Sequence, residues 1–131
     1  TISIVLLIAV AIGYREAEPA LAFYDAVLGA AGMSRAFFDS GWAGYGPAGS
    51  AEQNVFLCPP FDGKPAQPGN GIMIAFKAPS KAAVEAAYAA GLAHGGSDEG
   101  APGPRPAEST SFFGCYLRDP TGNKIAVFCR P

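Results

Sequence analysis

The chain has 131 residues, enough for one domain with a real core and too few for two ordinary ones. Half of it is hydrophobic, only 15% is charged and the formal net charge is −2, with Lys and Arg scattered along the sequence. That balance excludes the basic footprint of a nucleic-acid binder, and 17 Gly with 12 Pro predict many turns and short elements.

The first element is ISIVLLIAVAI, Ile2 to Ile12. Its eleven apolar or small residues fall short of the roughly 20 that a membrane-spanning helix needs. No Lys or Arg precedes it, as the charged start of a leader would require. Rich in Ile and Val, it reads as a buried strand, roughly Ile4 to Gly13. Pro19 then stands in the first turn of a helix whose Leu21, Tyr24 and Leu28 share a face, closed by Gly29 or Gly32. Three extended pieces follow, SRAFFDS, GWAGYGPA and QNVFLCPP, and then the loop FDGKPAQPGNG.

After that loop the order begins again. GIMIAFKA reads as a strand, and Ser80 caps an Ala-rich helix, KAAVEAAYAAGLAH, which Gly95 and Gly96 end. A Gly/Pro-rich loop is expected from Ser97 to Pro106. FFGCYLRD and NKIAVFC then form a hairpin around DPTGN, where Pro120, Gly122 and Asn123 suit a tight turn. Strand, helix, strands, stated twice, favours α+β over a doubly wound sheet.

Few residues advertise chemistry. Cys58, Cys115 and Cys129 form neither a CxxC pair nor an even framework, and read as small buried hydrophobes in a reducing, cytoplasmic setting. The single His94 sits where it favours a helix C-terminus. Asp98 and Glu99 are neighbours in the Gly/Pro loop and read as solvated. No catalytic Ser/His/Asp set, P-loop or dinucleotide fingerprint is present.

AVAIGYREAEPALAFYDAVLG, GNGIMIAFKAPS and FFGCYLRDPTGNKIAVFC together resemble the vicinal oxygen chelate superfamily. That group includes glyoxalase I, extradiol dioxygenases, fosfomycin-resistance proteins and bleomycin-resistance proteins. The resemblance runs from Ala9 to Cys129. It implies one α+β domain over 1–131, built of two βαβββ modules, about 4–60 and 70–130, whose mixed sheets form a cup.

Metal-dependent members of that superfamily carry His, Glu or Gln ligands on the first and last strand of each module, suited to a divalent metal. Matched to this sequence, the first-strand position fourteen residues before Phe23 is Ala9. Its counterpart after GNG is Met73. The last-strand position, seven residues after Asp119, is Ala126. The fourth falls at Phe56 or a direct neighbour. Ala9, Met73 and Ala126 offer no nitrogen or oxygen ligand, and a Met thioether suits Cu(I) better than the metals of the family. The resemblance therefore implies a degenerate metal site, with no metal and no other cofactor.

If Ala126 faces the cup, alternation puts Lys124 and Phe128 on the same face. Pairing Arg118 with Ala126 sets Tyr116 opposite Phe128. It also sets Cys115 opposite Cys129 on the helix side, open to a cross-strand disulfide on oxidation. The expected pocket comprises Trp42, Tyr45, Phe56, Met73, Tyr116, Arg118 and Phe128. Arg118 is its clear charge, either pairing a ligand's anionic or carbonyl oxygen or spent in a surface salt bridge.

The function implied is metal-free binding of a small organic molecule by a homodimer, as in the bleomycin-resistance branch, with no nucleic-acid or membrane partner. Two alternatives stand beside it, because the fold hosts many functions. One is a metal-dependent lyase, isomerase or dioxygenase. The other is a non-catalytic interaction protein whose cup is filled by its own side chains.

Overall fold

The computed structural model describes residues 9–131, so the part of the first predicted strand before Ala9 lies outside the described residues. The chain runs β1 (Val10–Gly13), α1 (Ala17–Ala30), β2 (Met33–Asp39), β3 (Trp42–Pro47) and β4 (Val55–Cys58). It continues with β5 (Ile74–Lys77), α2 (Lys81–Ala93), β6 (Ser97–Pro104), β7 (Phe113–Arg118) and β8 (Lys124–Cys129). The first four strands form a sheet in the order β1-β4-β3-β2, and the last four repeat it as β5-β8-β7-β6. In each sheet the first strand runs parallel to the last, and the other pairs are antiparallel. This is the expected α+β architecture of two βαβββ modules with mixed sheets.

Local chemistry sets the helix ends. Ser80 Oγ accepts the Ala83 backbone N–H at 3.1 Å and so caps α2. Pro19 lies in the first turn of α1, where its missing N–H leaves no bond unmade. Gly32 and Gly95 follow the two helices with φ of 98° and 88°, the left-handed conformation that glycine adopts without strain. Each helix buries one face, Phe23, Tyr24, Val27 and Leu28 from α1 and Val84, Ala87 and Gly91 from α2. The helices pack on each other, and Gly91 makes room for the contact. A Cβ there would lie 2.7 Å from Leu117 Cδ1 and 3.2 Å from Phe23 Cε2. Ile12 and Leu57 from one sheet join Leu117, Ile125 and Val127 from the other in a single core.

The Asp119–Asn123 turn ties the second module to the first. Asp119 Oδ1 accepts the backbone N–H groups of Thr121, Gly122 and Asn123, each at 2.9 Å. Its Oδ2 accepts the Tyr24 hydroxyl at 2.7 Å and Asn123 Nδ2 at 3.0 Å. Asn123 Nδ2 also donates to the Gly13 carbonyl at 2.9 Å. A carboxylate this buried is tolerated because its lone pairs are filled by fixed donors.

Two expectations are corrected. The Gly/Pro-rich stretch after α2 is mostly strand, β6, not loop. Among the described residues it is an edge strand paired only with β7, so Pro102 and Pro104 are accommodated where no ladder donor is needed. Irregularities between Asp98 and Gly100 and between Gly100 and Gly103 absorb its extra residues. The β7–β8 register is also two residues tighter. Arg118 faces Lys124, Tyr116 faces Ala126, Gly114 faces Phe128 and Cys115 faces Val127. A shift of two leaves every side chain on its expected face, but it parts Cys115 from Cys129, which faces Phe113. All three cysteines are free. Among the described residues no helix is long and apolar enough to cross a membrane.

Candidate ligand-binding site

On the side away from the helices, each sheet presents a row of residues across its four strands. The row is Ala11, Phe56, Gly44 and Phe37 in the first sheet. In the second it is Ala75, Ala126, Tyr116 and Gly100. The rows correspond, for Phe56 pairs with Ala11 as Ala126 pairs with Ala75. Two residues before Ala11 and Ala75, Ala9 and Met73 occupy matching places, each immediately before the first strand of its module.

In the first module the exposed face is aromatic. Trp42 meets Phe56 edge-on with ring centroids 6.2 Å apart. An irregularity between Arg35 and Phe37 turns Phe37 onto this face, where its ring covers Gly44 so closely that a Cβ there would overlap it. Tyr45 is a correction, because it does not line the pocket. It is 0% exposed and donates its hydroxyl to Asp25 Oδ1 of α1 at 2.7 Å. Gly44 and Gly46 take the outward positions on either side, so alternation sends Tyr45 into the core. Burial, aided by the Asp25 carboxylate, raises its pKa far above the ordinary phenol range.

In the second module the face is aromatic and basic. Arg105 Cζ and Lys124 Nζ each lie 5.6 Å from the centre of the Tyr116 ring. Phe128 stacks on Phe112 with centroids 5.2 Å apart and planes 10° from parallel. Arg118 takes the salt-bridge alternative. Its Nε donates to Glu99 Oε1 at 2.7 Å and its second nitrogen to the Gly122 carbonyl at 3.1 Å. The hydrogen bond and charge of Arg118 hold the Glu99 carboxyl below its usual pKa. Asp98 accepts the Tyr88 hydroxyl at 2.9 Å and the Gly100 N–H at 2.8 Å, and His94 caps its own helix through Ala90 O at 2.8 Å. Neither reaches the cup.

Between the edges of β1 and β5 lies a cleft of about 340 Å³, bordered by Ala9, Asn54, Met73 and Ala75. A narrower cavity of about 170 Å³ runs past Ala11, Ile72 and Lys124. It shares Ile72 and Lys124 with a space of about 600 Å³ beneath the Pro68–Met73 segment, on which Arg118 also stands. Met73 and Ile72 are 45% and 66% exposed, large apolar groups left bare at this opening. Asn54 Oδ1 is buried and has no hydrogen-bond partner among the described residues. Phe37, Asn54, Ile72, Arg105 and Phe112 were not legible as site residues, since bulges and loops rather than strand alternation bring them here.

The residues present do not fit a divalent metal. Ala9, Met73 and Ala126 carry no nitrogen or oxygen ligand, and Phe56 carries none either. Among the described residues no three His, Cys, Asp or Glu side chains converge. The Asn54 carboxamide oxygen alone falls short of the three or four donors such a site requires.

The model of the Glyoxalase/Bleomycin resistance protein/Dioxygenase superfamily matches residues 7–127. The chain belongs to this superfamily. A solved glyoxalase/bleomycin resistance protein from Albidiferax ferrireducens T118 is 35% identical, with 92% of this chain and 95% of that one covered at a TM-score of 0.81. Two more distant structures share the fold of the superfamily. A glyoxalase/bleomycin resistance protein/dioxygenase family enzyme from Burkholderia phytofirmans PsJN is 18% identical over 95% of this chain and 98% of its own, at a TM-score of 0.69. Lactoylglutathione lyase from Agrobacterium tumefaciens is 21% identical over 95% and 92%, at 0.63. Among curated proteins, none matches the chain.

Proposed function

We propose that this glyoxalase-superfamily chain is a metal-free small-molecule-binding protein of a reducing, cytoplasmic compartment. The observation that carries the reading is the side-chain chemistry at Ala9, Phe56, Met73 and Ala126, none of which can hold a metal of the kind the superfamily uses. What stands there instead suits an organic ligand. Small residues leave room along β1 and β5, Phe56, Trp42 and Tyr116 supply flat apolar surface, and Asn54 Oδ1 is an acceptor without a donor among the described residues.

A homodimer completes this reading. Among the described residues β1 and β5 each end a sheet and pair with one neighbour, and Phe37 and Trp42 are partly exposed. A second copy laid against these edges and faces would cover both. Sedimentation at micromolar concentration checks this, and a monomer would remove the dimer from the proposal.

The binding claim is tested by melting the protein against a broad library of aromatic and charged compounds. A ligand that binds only the folded state raises the melting temperature in proportion to its concentration over Kd. At least one compound class is expected to do so. A flat response throughout would favour the interaction-protein alternative, for which the exposed Phe37, Phe38 and Trp42 are the specific support.

A further inference from the structure

The basic residues are scattered in the sequence but not in space. Five of the nine Lys and Arg gather on the outward side of the second sheet. Lys124 and Arg118 pair across β7–β8, and Lys77 pairs with Phe128 on the same face. Arg105 lies against Tyr116, and Arg130 lies 5.7 Å from the Phe128 ring. Among the described residues only one carboxylate pairs with any of them, Glu99 with Arg118. Arg105 gives its hydrogen bonds to the carbonyls of Pro104 and Ala101. Of these, Lys124 and Arg118 border the space of about 600 Å³ and Lys77 the cleft of about 340 Å³. A chain of net charge −2 thus brings positive charge to its own openings, where cations repel one another unless an anion joins them.

We infer that the ligand of this cleft, and of the space of about 600 Å³ that shares Met73 with it, is an organic anion with a flat apolar body, its carboxylate, sulfonate or phosphate held by Lys124 and Arg118. The inference rests on reading the cleft as a binding site, and it adds the sign of the ligand's charge. Lys124 and Arg118 both border the space of about 600 Å³ whose opposite wall is Ile72 and Met73. An anion placed there meets a charge-assisted donor from Lys124. Its ring is left against Ile72 and the Met73 thioether, the latter favouring aromatic contact. Glu99 competes for Arg118 and acts as an internal stand-in for the ligand anion.

The test compares two fluorescent probes that differ by one charged group, 1-anilinonaphthalene-8-sulfonate and neutral N-phenyl-1-naphthylamine, titrated into the native protein. The sulfonate is expected to bind about tenfold more tightly, the effect of one good charge-assisted contact. Added salt should reduce that preference. Lys124→Met should collapse the ratio, and Glu99→Gln, which leaves Arg118 to the ligand, should raise it. The Glu99→Gln variant keeps the question answerable if Lys124→Met does not fold. Equal affinities in the native protein, or a ratio that neither substitution moves, would overturn the anionic assignment while leaving a binding cleft in place. Saturable binding of neither probe would overturn the cleft itself, and the inference with it.

Discussion

The Tyr24 hydroxyl donates to Asp119 Oδ2 at 2.7 Å across 95 residues of sequence, joining the first helix of one module to the last turn of the other. Tyr24 is almost wholly buried, so removing its hydroxyl takes a donor from a carboxylate that water cannot easily reach. Tyr24→Phe should lower unfolding free energy by about 1.5–3 kcal/mol, the range for a hydrogen bond to a charged group. Urea denaturation read by far-UV circular dichroism checks this. A loss of only a few tenths would show that the contact does not hold the modules together.

The same contacts give stability a defined alkaline limit. Burial, reinforced by Asp119, holds Tyr24 protonated well above the ordinary phenol range, and burial with Asp25 does the same for Tyr45. A raised folded-state pKa means that the unfolded chain loses these protons first. The stabilisation is therefore complete below about pH 10, the unfolded value, and falls as pH rises beyond it. Melting temperature should hold up to about pH 10 and drop steeply above it, and the slope should be shallower in Tyr24→Phe. Parallel curves would assign the drop to other groups.

How far this arrangement could be read in advance depended on whether the signal was local. Ser80, Gly32 and Gly95 mark their helix ends through their own backbone chemistry, and all three do so in the structure. DPTGN marked the turn but not its tightness. Three N–H groups converge on Asp119 Oδ1 and close it in five residues, which moved the register by two. β6 was hidden because Gly and Pro weaken a strand's own preference while its pairing to β7 overrides them. Tyr45 was misplaced because flanking glycines leave no alternation to read. The cationic cluster was legible only in part: alternation put Lys124 and Arg118 on the cup face, while Lys77, Arg105 and Arg130 join them only once the sheet forms.

The corrected register changes what oxidation can do. Cys115 is buried opposite Val127, with burial pushing its thiol up to about 11, and Cys129 is buried opposite Phe113. Cys58 is partly exposed, though burial raises its pKa as well. A thiol reagent at neutral pH should label Cys58 slowly, and Cys115 and Cys129 only after unfolding, since the thiolate is the reactive form. Mild oxidation should leave Cys115 and Cys129 unlinked. Peptide mass spectrometry reads both, and a Cys115–Cys129 disulfide formed in the native protein would contradict the register.

Two glycines on the helices should respond in opposite directions to alanine. Gly91→Ala pushes a methyl toward Leu117 Cδ1 at 2.7 Å, and overpacking of this kind costs about 1–3 kcal/mol. Gly29, near the end of α1, has nothing within 4 Å of an added Cβ. Gly29→Ala should therefore stabilise by roughly 0.5–1 kcal/mol through helix propensity. The same sign for both would mean that α2 does not pack closely on Leu117 of β7 at Gly91.

The most direct test of the proposed metal-free cup is elemental analysis of the protein purified from medium rich in iron, manganese, nickel and zinc. With Ala9, Phe56, Met73 and Ala126 at the positions where the superfamily's metal-dependent members carry ligands, no metal should be found in stoichiometric amount. One divalent ion held per chain, and lost on substitution of residues lining the cleft, would contradict it.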